Sequence, residues 1–149
     1  MKITDALRAE HIVFHNLFDH IEKTIPGLKN LHAVQAVTQV LEGVLEDHGT
    51  VENDLLLEPL ETSLGQIGHL ENFHDEHELI DAALRNIKSS RSLKSGKAFL
   101  LRAVQLSRQH FDKEERVVFP LIEKQLKAKT LSSLGARWAQ QRDVSGTSE

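Results

Sequence analysis

The feature that most constrains this sequence is a histidine within the apolar stripe of each of four helical segments. Apolar residues recur at alternating steps of three and four, which is the spacing of helices that pack into a bundle. We call the buried stripe of these segments the inner seam. Its predicted members are Ile3, Leu7, His11, Phe14, Phe18, Ile21 and Ile25; Val34, Val37, Leu41, Val44, His48, Glu52 and Leu55; Leu70, Phe73, His77, Ile80, Leu84 and Ile87; and Phe99, Ala103, Leu106, His110, Glu114, Val117 and Leu121.

Capping and breaking residues predict four long helices and a short tail helix. Helices begin after polar capping residues and end at proline or glycine. The predicted caps are Thr4 or Asp5, Asn30 and Thr130, and the predicted breaks and kinks are Pro26-Gly27, Pro59, Gly65, Gly68, the loop 89–92 and Pro120. Short links between long helices favour an all-α fold, an antiparallel up-down-up-down four-helix bundle with a short C-terminal tail helix. We predict the bundle over residues 1–128, with a tail helix and disordered C-terminus over residues 129–149.

Composition narrows the class of protein and its partners. The chain has 149 residues, a net charge of −4 and no strongly basic stretch, so neither nucleic acid nor a membrane is an expected partner. No cysteine is present, which removes thiolate sites and suits a reducing compartment. The first residues lack the apolar core of a signal peptide. We therefore expect a cytoplasmic protein that is a monomer or homodimer.

The two halves of the chain repeat one pattern. The matching positions are Glu10-His11 with Glu76-His77, and the HxxxE motifs His48–Glu52 with His110–Glu114. HxxxE on a helix puts its histidine and glutamate one turn apart on the same face. Two helical hairpins of similar length then bring all four seam histidines to about one level of the bundle.

These groups at one level predict a metal site. A buried carboxylate without a partner costs on the order of several kcal/mol, and the inner seam offers no lysine or arginine to neutralise Glu52 and Glu114. Two divalent cations bridged by both glutamates satisfy these charges, and imidazole with carboxylate suits iron, manganese or zinc. The predicted metal ligands are six seam residues and two flanking histidines: His11, His48, Glu52, His77, His110 and Glu114, with His15 and His74.

Other polar groups have simpler interpretations. A single histidine on an apolar stripe is usually a hydrogen-bonded core residue, and His15 and His74 can instead support the ligands or face solvent. The residues predicted on the surface are His20, His32, His69, Glu46 and Glu115. Glu115 is alternatively placed to orient a metal ligand.

The order His…HxxxE…His…HxxxE resembles the hemerythrin-like (HHE cation-binding) family. The phrases that carry the likeness are Glu10-His11, Glu76-His77, and His110-x-x-x-Glu114-Glu115 before Phe119-Pro120, within roughly residues 3–125. The resemblance implies an up-down-up-down bundle with two iron ions (Fe²⁺ or Fe³⁺) joined by a bridging oxo or hydroxo group, with manganese or zinc as substitutes. It also implies a role in binding or sensing O₂, peroxide, nitric oxide or iron. The metal-ligand roles that it carries over fall on His11, His48, Glu52, His77, His110 and Glu114.

The chain departs from the oxygen-carrying hemerythrins in three places. Those proteins have HxxxH on the third helix, where this chain has Phe73 and then His74. They have a longer step from histidine to aspartate on the fourth helix, where this chain has HxxxE. They have one histidine on the first helix, where this chain has His11 and His15. Reversible oxygen carriage therefore does not follow from the resemblance.

Three functions stay open at this point. Two Fe²⁺ ions with two carboxylates and one hydroxide leave a net charge of about +1, with fewer carboxylates than ferritin-like oxidases use. This composition favours a non-haem di-iron protein that binds or senses O₂, nitric oxide or peroxide, or handles iron, over an enzyme. The second hypothesis is a di-iron enzyme that consumes hydrogen peroxide or nitric oxide. The third is a helical interaction module whose histidines are only structural.

Overall fold

The computed structural model describes residues 1–64 and 69–143, with the side chains of residues 62–64 and 69–73 outside that description. The predicted break at Gly65 and Gly68, the seam positions Leu70 and Phe73, the surface assignment of His69 and the C-terminus beyond residue 143 lie outside the described residues. Within them every regular element is helical, which confirms the all-α class. The helices are α1 (Ile3–Thr24), α2 (Leu31–Glu52), α3 (Glu58–Leu64), α4 (His69–Ser89), α5 (Leu93–Lys113), α6 (Phe119–Gln125) and α7 (Ala128–Arg142).

Helix starts follow the predicted cap at α2 but not at α1 or α7, since α7 begins at Ala128, before the predicted cap Thr130. The side chain of Asn30 accepts a hydrogen bond from the backbone amide three residues later, at 2.8 Å, as predicted. Helix α1 instead begins at Ile3, before both predicted caps. Asp5 accepts a hydrogen bond from the Lys2 amide at 3.2 Å, and the hydroxyl of Thr4 donates to a carboxylate on α6. These contacts satisfy the first turn and let the helix start earlier.

Two π-helical turns follow the two HxxxE motifs. They span Asn53–Leu57, which joins α2 to α3, and Glu114–Val118, which joins α5 to α6. Each closes with a hydrogen bond between residues five apart, from the Glu58 amide to the Asn53 carbonyl and from the Phe119 amide to the Glu114 carbonyl. A π turn holds one residue more than an α turn, so it changes which residues face inward, and such turns are frequent at functional sites.

Two predicted seam positions are wrong, each because the inward face of its helix is shifted by one residue. Val117 is 45% exposed and Val118 is 6% exposed, because the π turn advances the inward face by one residue. Val44 is 38% exposed, and Leu45 packs against the core in its place, since the seam there steps by four and then three. Pro120 lies in the first turn of α6, directly after the second π turn.

A polar layer separates two apolar clusters along the helices. One cluster joins the start of α1 to the π turns and α7, and the other joins the rest of α1 to α2, α4 and α5. The fully or almost fully buried polar residues between them include His11, His48, Glu52, His110 and Glu114. The core is therefore built around a set of titratable groups.

The helices around this polar layer contact one another. Helix α1 contacts α5 and α7, α2 contacts α4 and α5, and α4 contacts α5. Trp138 on α7 packs against the first cluster. The up-down-up-down order and the domain boundary after residue 128 stay predictions. Among the described residues, none of the helices has both the length and the apolarity needed to cross a bilayer.

Candidate metal centre

Each of the four long helices delivers its seam histidine to the polar layer. The α-helical spacing of the HxxxE motifs puts Glu52 beneath His48 at the end of α2 and Glu114 beneath His110 after α5. Both glutamates and three of the histidines are buried. The side chain of His77 on α4 is the exception and keeps 26% of its surface exposed. The layer therefore has one open side.

Six of the eight predicted ligands converge in two groups. The first group is His11, His48, Glu52 and Glu114, and the second is Glu52, His77, His110 and Glu114. Within each group the nearest ligand atoms all lie within 4.8 Å of one another. Both glutamates belong to both groups, which is the arrangement that two bridging carboxylates produce.

The glutamate oxygens are deeply buried and lack hydrogen bonds. Within the described part of the chain, no donor makes a hydrogen bond to either carboxylate oxygen of Glu52 or of Glu114. Histidine nitrogens approach them closely, with Nε2 of His110 2.5 Å and Nε2 of His11 3.0 Å from Glu114 oxygens. These contacts lack hydrogen-bond geometry, so they leave the carboxylate oxygens unsatisfied. Four orphaned carboxylate oxygens at one place require cations.

Three histidines turn their other ring nitrogen toward a carboxylate. Nδ1 of His11 lies 2.9 Å from Glu115, and Nδ1 of His48 lies 2.6 Å from Glu10. Nδ1 of His110 lies 2.8 Å from Glu76 in the same way. An ionised carboxylate only accepts, so Nδ1 carries the proton in each case. When such a ring is otherwise deprotonated, as in a metal complex, the lone pair of Nε2 points inward, which is the tautomer that carboxylate partners impose on metal-binding histidines.

The inward nitrogens face each other in pairs. Nε2 of His11 lies 3.3 Å from Nε2 of His48, and Nε2 of His77 lies 2.8 Å from Nε2 of His110. Two lone pairs at these distances repel unless a proton or a metal ion lies between them. Each of the two groups therefore offers nitrogen and oxygen ligands that could hold a metal ion.

Protons are the competing cations at this site. Burial opposes protonation of His48, but the negative charge of Glu52 and the hydrogen bond to Glu10 outweigh it and raise its pKa to about 10. Burial likewise opposes protonation of His110, yet its contact with Glu114 raises its pKa to about 9. His77 behaves oppositely, since burial and the charge of His110 lower its pKa to about 4.

The pKa values of the two glutamates are shifted in opposite directions. Burial opposes ionisation of Glu52, but the positive charge of His48 overcomes it and lowers its pKa to about 2. Burial raises the pKa of Glu114, and the charge of Glu52 raises it further. Two carboxylates this close favour sharing a proton or a cation rather than carrying two bare charges.

Aromatic rings cover the His11 side of the first group. The ring of His11 stacks on Phe111 with 4.2 Å between centroids and on Phe119 with 5.5 Å. Phe14 meets the ring of His48 edge-on at 5.1 Å. All of these phenylalanines are buried, so His11 is screened from solvent on this side of the first group.

A cavity of about 410 Å³ opens the second group instead. His48, Glu52, His77, His110 and Phe111 lie on its wall. Acidic residues and an arginine line it as well, namely Glu42, Glu46, Asp81 and Arg85. A small molecule entering from solvent therefore meets His77 and its neighbours, while the position beside His11 is screened.

The two flanking histidines lie apart from both groups of the described residues. His15 is half-buried, with Nδ1 3.3 Å from Nη1 of Arg108, and it packs edge-on against Phe18 and Phe111. The side chain of His74 is 58% exposed, and its nearest acidic partner is Glu61 at 3.9 Å. Helical spacing alone predicts both residues as ligands, and neither lies in a ligand group of the described residues.

Glu10 and Glu76 are the site residues whose role the sequence analysis missed. Each immediately precedes a seam histidine, yet each accepts from the HxxxE histidine of the neighbouring helix in its own half. Their repetition as Glu-His pairs was a usable signal. Glu115 agrees with the alternative prediction that it orients a metal ligand, because its Oε1 lies 2.9 Å from Nδ1 of His11.

One family model matches this chain. It is described as the hemerythrin HHE cation binding domain, and it matches residues 2–122. Comparisons with curated proteins and with solved structures found no match.

Proposed function

This chain belongs to the hemerythrin HHE cation-binding domain family, and we propose that it holds two iron ions and binds or senses a small ligand there. The ligand class is O₂, nitric oxide or peroxide, and the same site serves equally for handling iron. The observation that carries the proposal is the pair of ligand groups sharing Glu52 and Glu114, whose four carboxylate oxygens are buried without a hydrogen bond in the described structure.

The residues present suit this cofactor. Four imidazoles and two carboxylates supply the donor types that iron accepts, and three carboxylates outside the ligand set fix the histidine tautomers. Bound iron supplies a redox-active centre with a coordination position open to a small ligand. Among the described residues, His15 and His74 lie outside both ligand groups, so their ligand roles are not part of the proposal.

Aromatic rings and a cavity determine where a small molecule can reach the two ligand groups. Phe111 and Phe119 stack on His11 and screen that side of the first group from water. The cavity beside His77 leaves the second group accessible. This difference predicts that a small ligand binds on the His77 side.

Optical spectroscopy tests the proposal. Protein loaded with Fe²⁺ without oxygen and then exposed to O₂ or nitric oxide should develop near-ultraviolet and visible charge-transfer absorption. His77→Ala should lose most of that signal, whereas His15→Ala should keep it. An iron-loaded wild-type chain whose spectrum responds to neither gas contradicts the proposed function.

His11→Ala and His15→Ala form a matched pair on α1. Loss of His11 removes a ligand from the first group only, so bound iron is expected to fall from about two ions to about one per chain. His15→Ala removes a ring that contacts Arg108 and should leave about two. Metal analysis of both purified variants checks this, and equal iron losses would count against the assignment.

Metal binding is expected to release protons. His48 and His110 have pKa values raised to about 10 and about 9, so at pH 7 both are protonated until a metal ion takes Nε2. Loading the chain at pH 7 should therefore release about two protons. Calorimetry in buffers of different ionisation enthalpy measures that number. Uptake of protons, or no change, would be the opposite of this expectation.

The cavity also favours one alternative, a di-iron enzyme that consumes hydrogen peroxide or nitric oxide. Turnover needs solvent access to the second group, and the opening beside His77 provides it. Steady-state consumption of peroxide or nitric oxide above the rate of free iron, lost in His77→Ala and kept in His15→Ala, supports the enzyme. A rate no higher than that of free iron removes it.

A further inference from the structure

Glu10 connects the tail helix α7 to His48 in the candidate metal centre. Its Oε2 lies 2.6 Å from Nδ1 of His48. Its Oε1 accepts two hydrogen bonds from α7, one from Nε1 of Trp138 at 2.7 Å and one from Nε of Arg142 at 2.7 Å. Arg142 also pairs with Asp47. One carboxylate therefore joins the end of the chain to a predicted ligand of the first group.

The internal repeat indicates why this contact exists. In the second half, Glu76 holds His110 through Oε2, and its Oε1 accepts from Nζ of Lys113 at 2.7 Å. Lys113 follows His110 by three positions on the same helix. The matching position after His48 is Val51, which is buried in the apolar cluster. The first half thus lacks its own cation for this carboxylate, and α7 supplies one.

Apolar packing fixes α7 independently of these hydrogen bonds. Leu131 and Leu134 are buried in the cluster that contains Ile3 and Leu7. Gly135 lies so close to the start of the chain that a Cβ atom there would be 2.2 Å from the Met1 carbonyl oxygen. The matched family region ends at residue 122, and α7 begins after it, at Ala128.

We propose that α7 is a positioning element for the metal centre, in which Trp138 and Arg142 hold Glu10 so that Glu10 fixes the ring of His48. The inference rests on the proposed metal centre and adds a control on one of its two ions. His48 belongs to the first ligand group and not the second. Loosening Glu10 should therefore weaken one ion selectively, by the 10–100-fold that is typical when such partners are lost.

The first experiment compares two arginines of α7. Arg142→Met removes the donor to Glu10 and keeps the aliphatic stem, while Arg137→Met changes an exposed arginine on the same helix. Anaerobic titration of Fe²⁺ against a competing chelator gives the affinity of each ion. Arg142→Met should bind one ion about 10–100-fold more weakly and the other normally, and Arg137→Met should match the wild type. Trp138→Phe should give a selective effect of the same sign.

The second experiment displaces α7 without changing either donor. Gly135→Ala places a methyl group against the Met1 backbone, which should force the helix away. Trp138 is the only tryptophan of the chain, so a red shift of its emission reports displacement directly. That shift should accompany the same selective weakening of one ion.

The outcomes separate this inference from the proposed function. A wild-type chain that binds no iron overturns the proposed function. A wild-type chain that binds two ions, with affinities unchanged in Arg142→Met and Trp138→Phe, overturns this inference alone. Equal weakening of both ions also overturns it, because general destabilisation is then sufficient. A Gly135→Ala chain whose Trp138 emission shifts while its iron affinities stay unaltered also overturns this inference.

Discussion

Glu114→Gln is expected to remove both metal ions, whereas each histidine substitution removes one. Glu114 belongs to both ligand groups, and Nε2 atoms of His11 and His110 both lie within 3.0 Å of it. Glutamine keeps the shape of the side chain but loses the charge that two cations require. Bound iron should fall from about two ions to well below one per chain, with affinity reduced by at least about 100-fold.

Asp112→Asn is the matched control for this substitution. Asp112 is exposed, lies two residues earlier on the same stretch of helix, and its change also removes one negative charge. It should retain about two ions per chain. If Glu114→Gln retains as much iron as Asp112→Asn, the glutamate is not a bridging ligand.

Metal removal is expected to lower the thermal midpoint by about 10 °C. A ligand present at about a thousandfold excess over its Kd stabilises the folded state by about 4 kcal/mol. For a chain of this size each kcal/mol shifts the midpoint by roughly 2–4 °C. Thermal unfolding followed by circular dichroism, with and without a strong chelator, measures the difference.

The Glu114→Gln chain provides the control for the melt. Its midpoint should be the same with and without chelator, because it has little metal to lose. A wild-type midpoint that also ignores the chelator favours the third hypothesis, a helical interaction module whose histidines are structural. A chelator effect of equal size in both chains would indicate that the chelator acts on something other than the metal centre.

Helix spacing was sufficient to predict which residues meet at the centre. Every predicted seam member from Ile3 to Ile21 on α1 is buried, and so is Ile25 just after its end, because an uninterrupted α-helix keeps its spacing. The HxxxE motifs place four groups by local geometry alone, and the internal repeat supplies the common level. The convergence of six predicted ligands follows from these two properties.

Register changes and contacts between helices were not predictable in the same way. A π turn contains one residue more than an α turn, and the apolar spacing of the sequence does not reveal it. Helical spacing therefore predicts that Val117 is buried, whereas the structure buries Val118. His15 has helical spacing from His11, but one turn along α1 carries it to Arg108 rather than to the ligand groups. Glu10 meets His48 across a helix interface, which no single-helix pattern specifies.

The most direct test of the two-metal centre is the iron content of the wild-type chain. The protein is reconstituted with Fe²⁺ without oxygen, freed of unbound metal, and analysed for iron against an accurate protein concentration. Two groups that share Glu52 and Glu114 predict about two iron ions per chain, with the Glu114→Gln chain near zero. A wild-type chain with no more iron than the Glu114→Gln chain would contradict the metal centre.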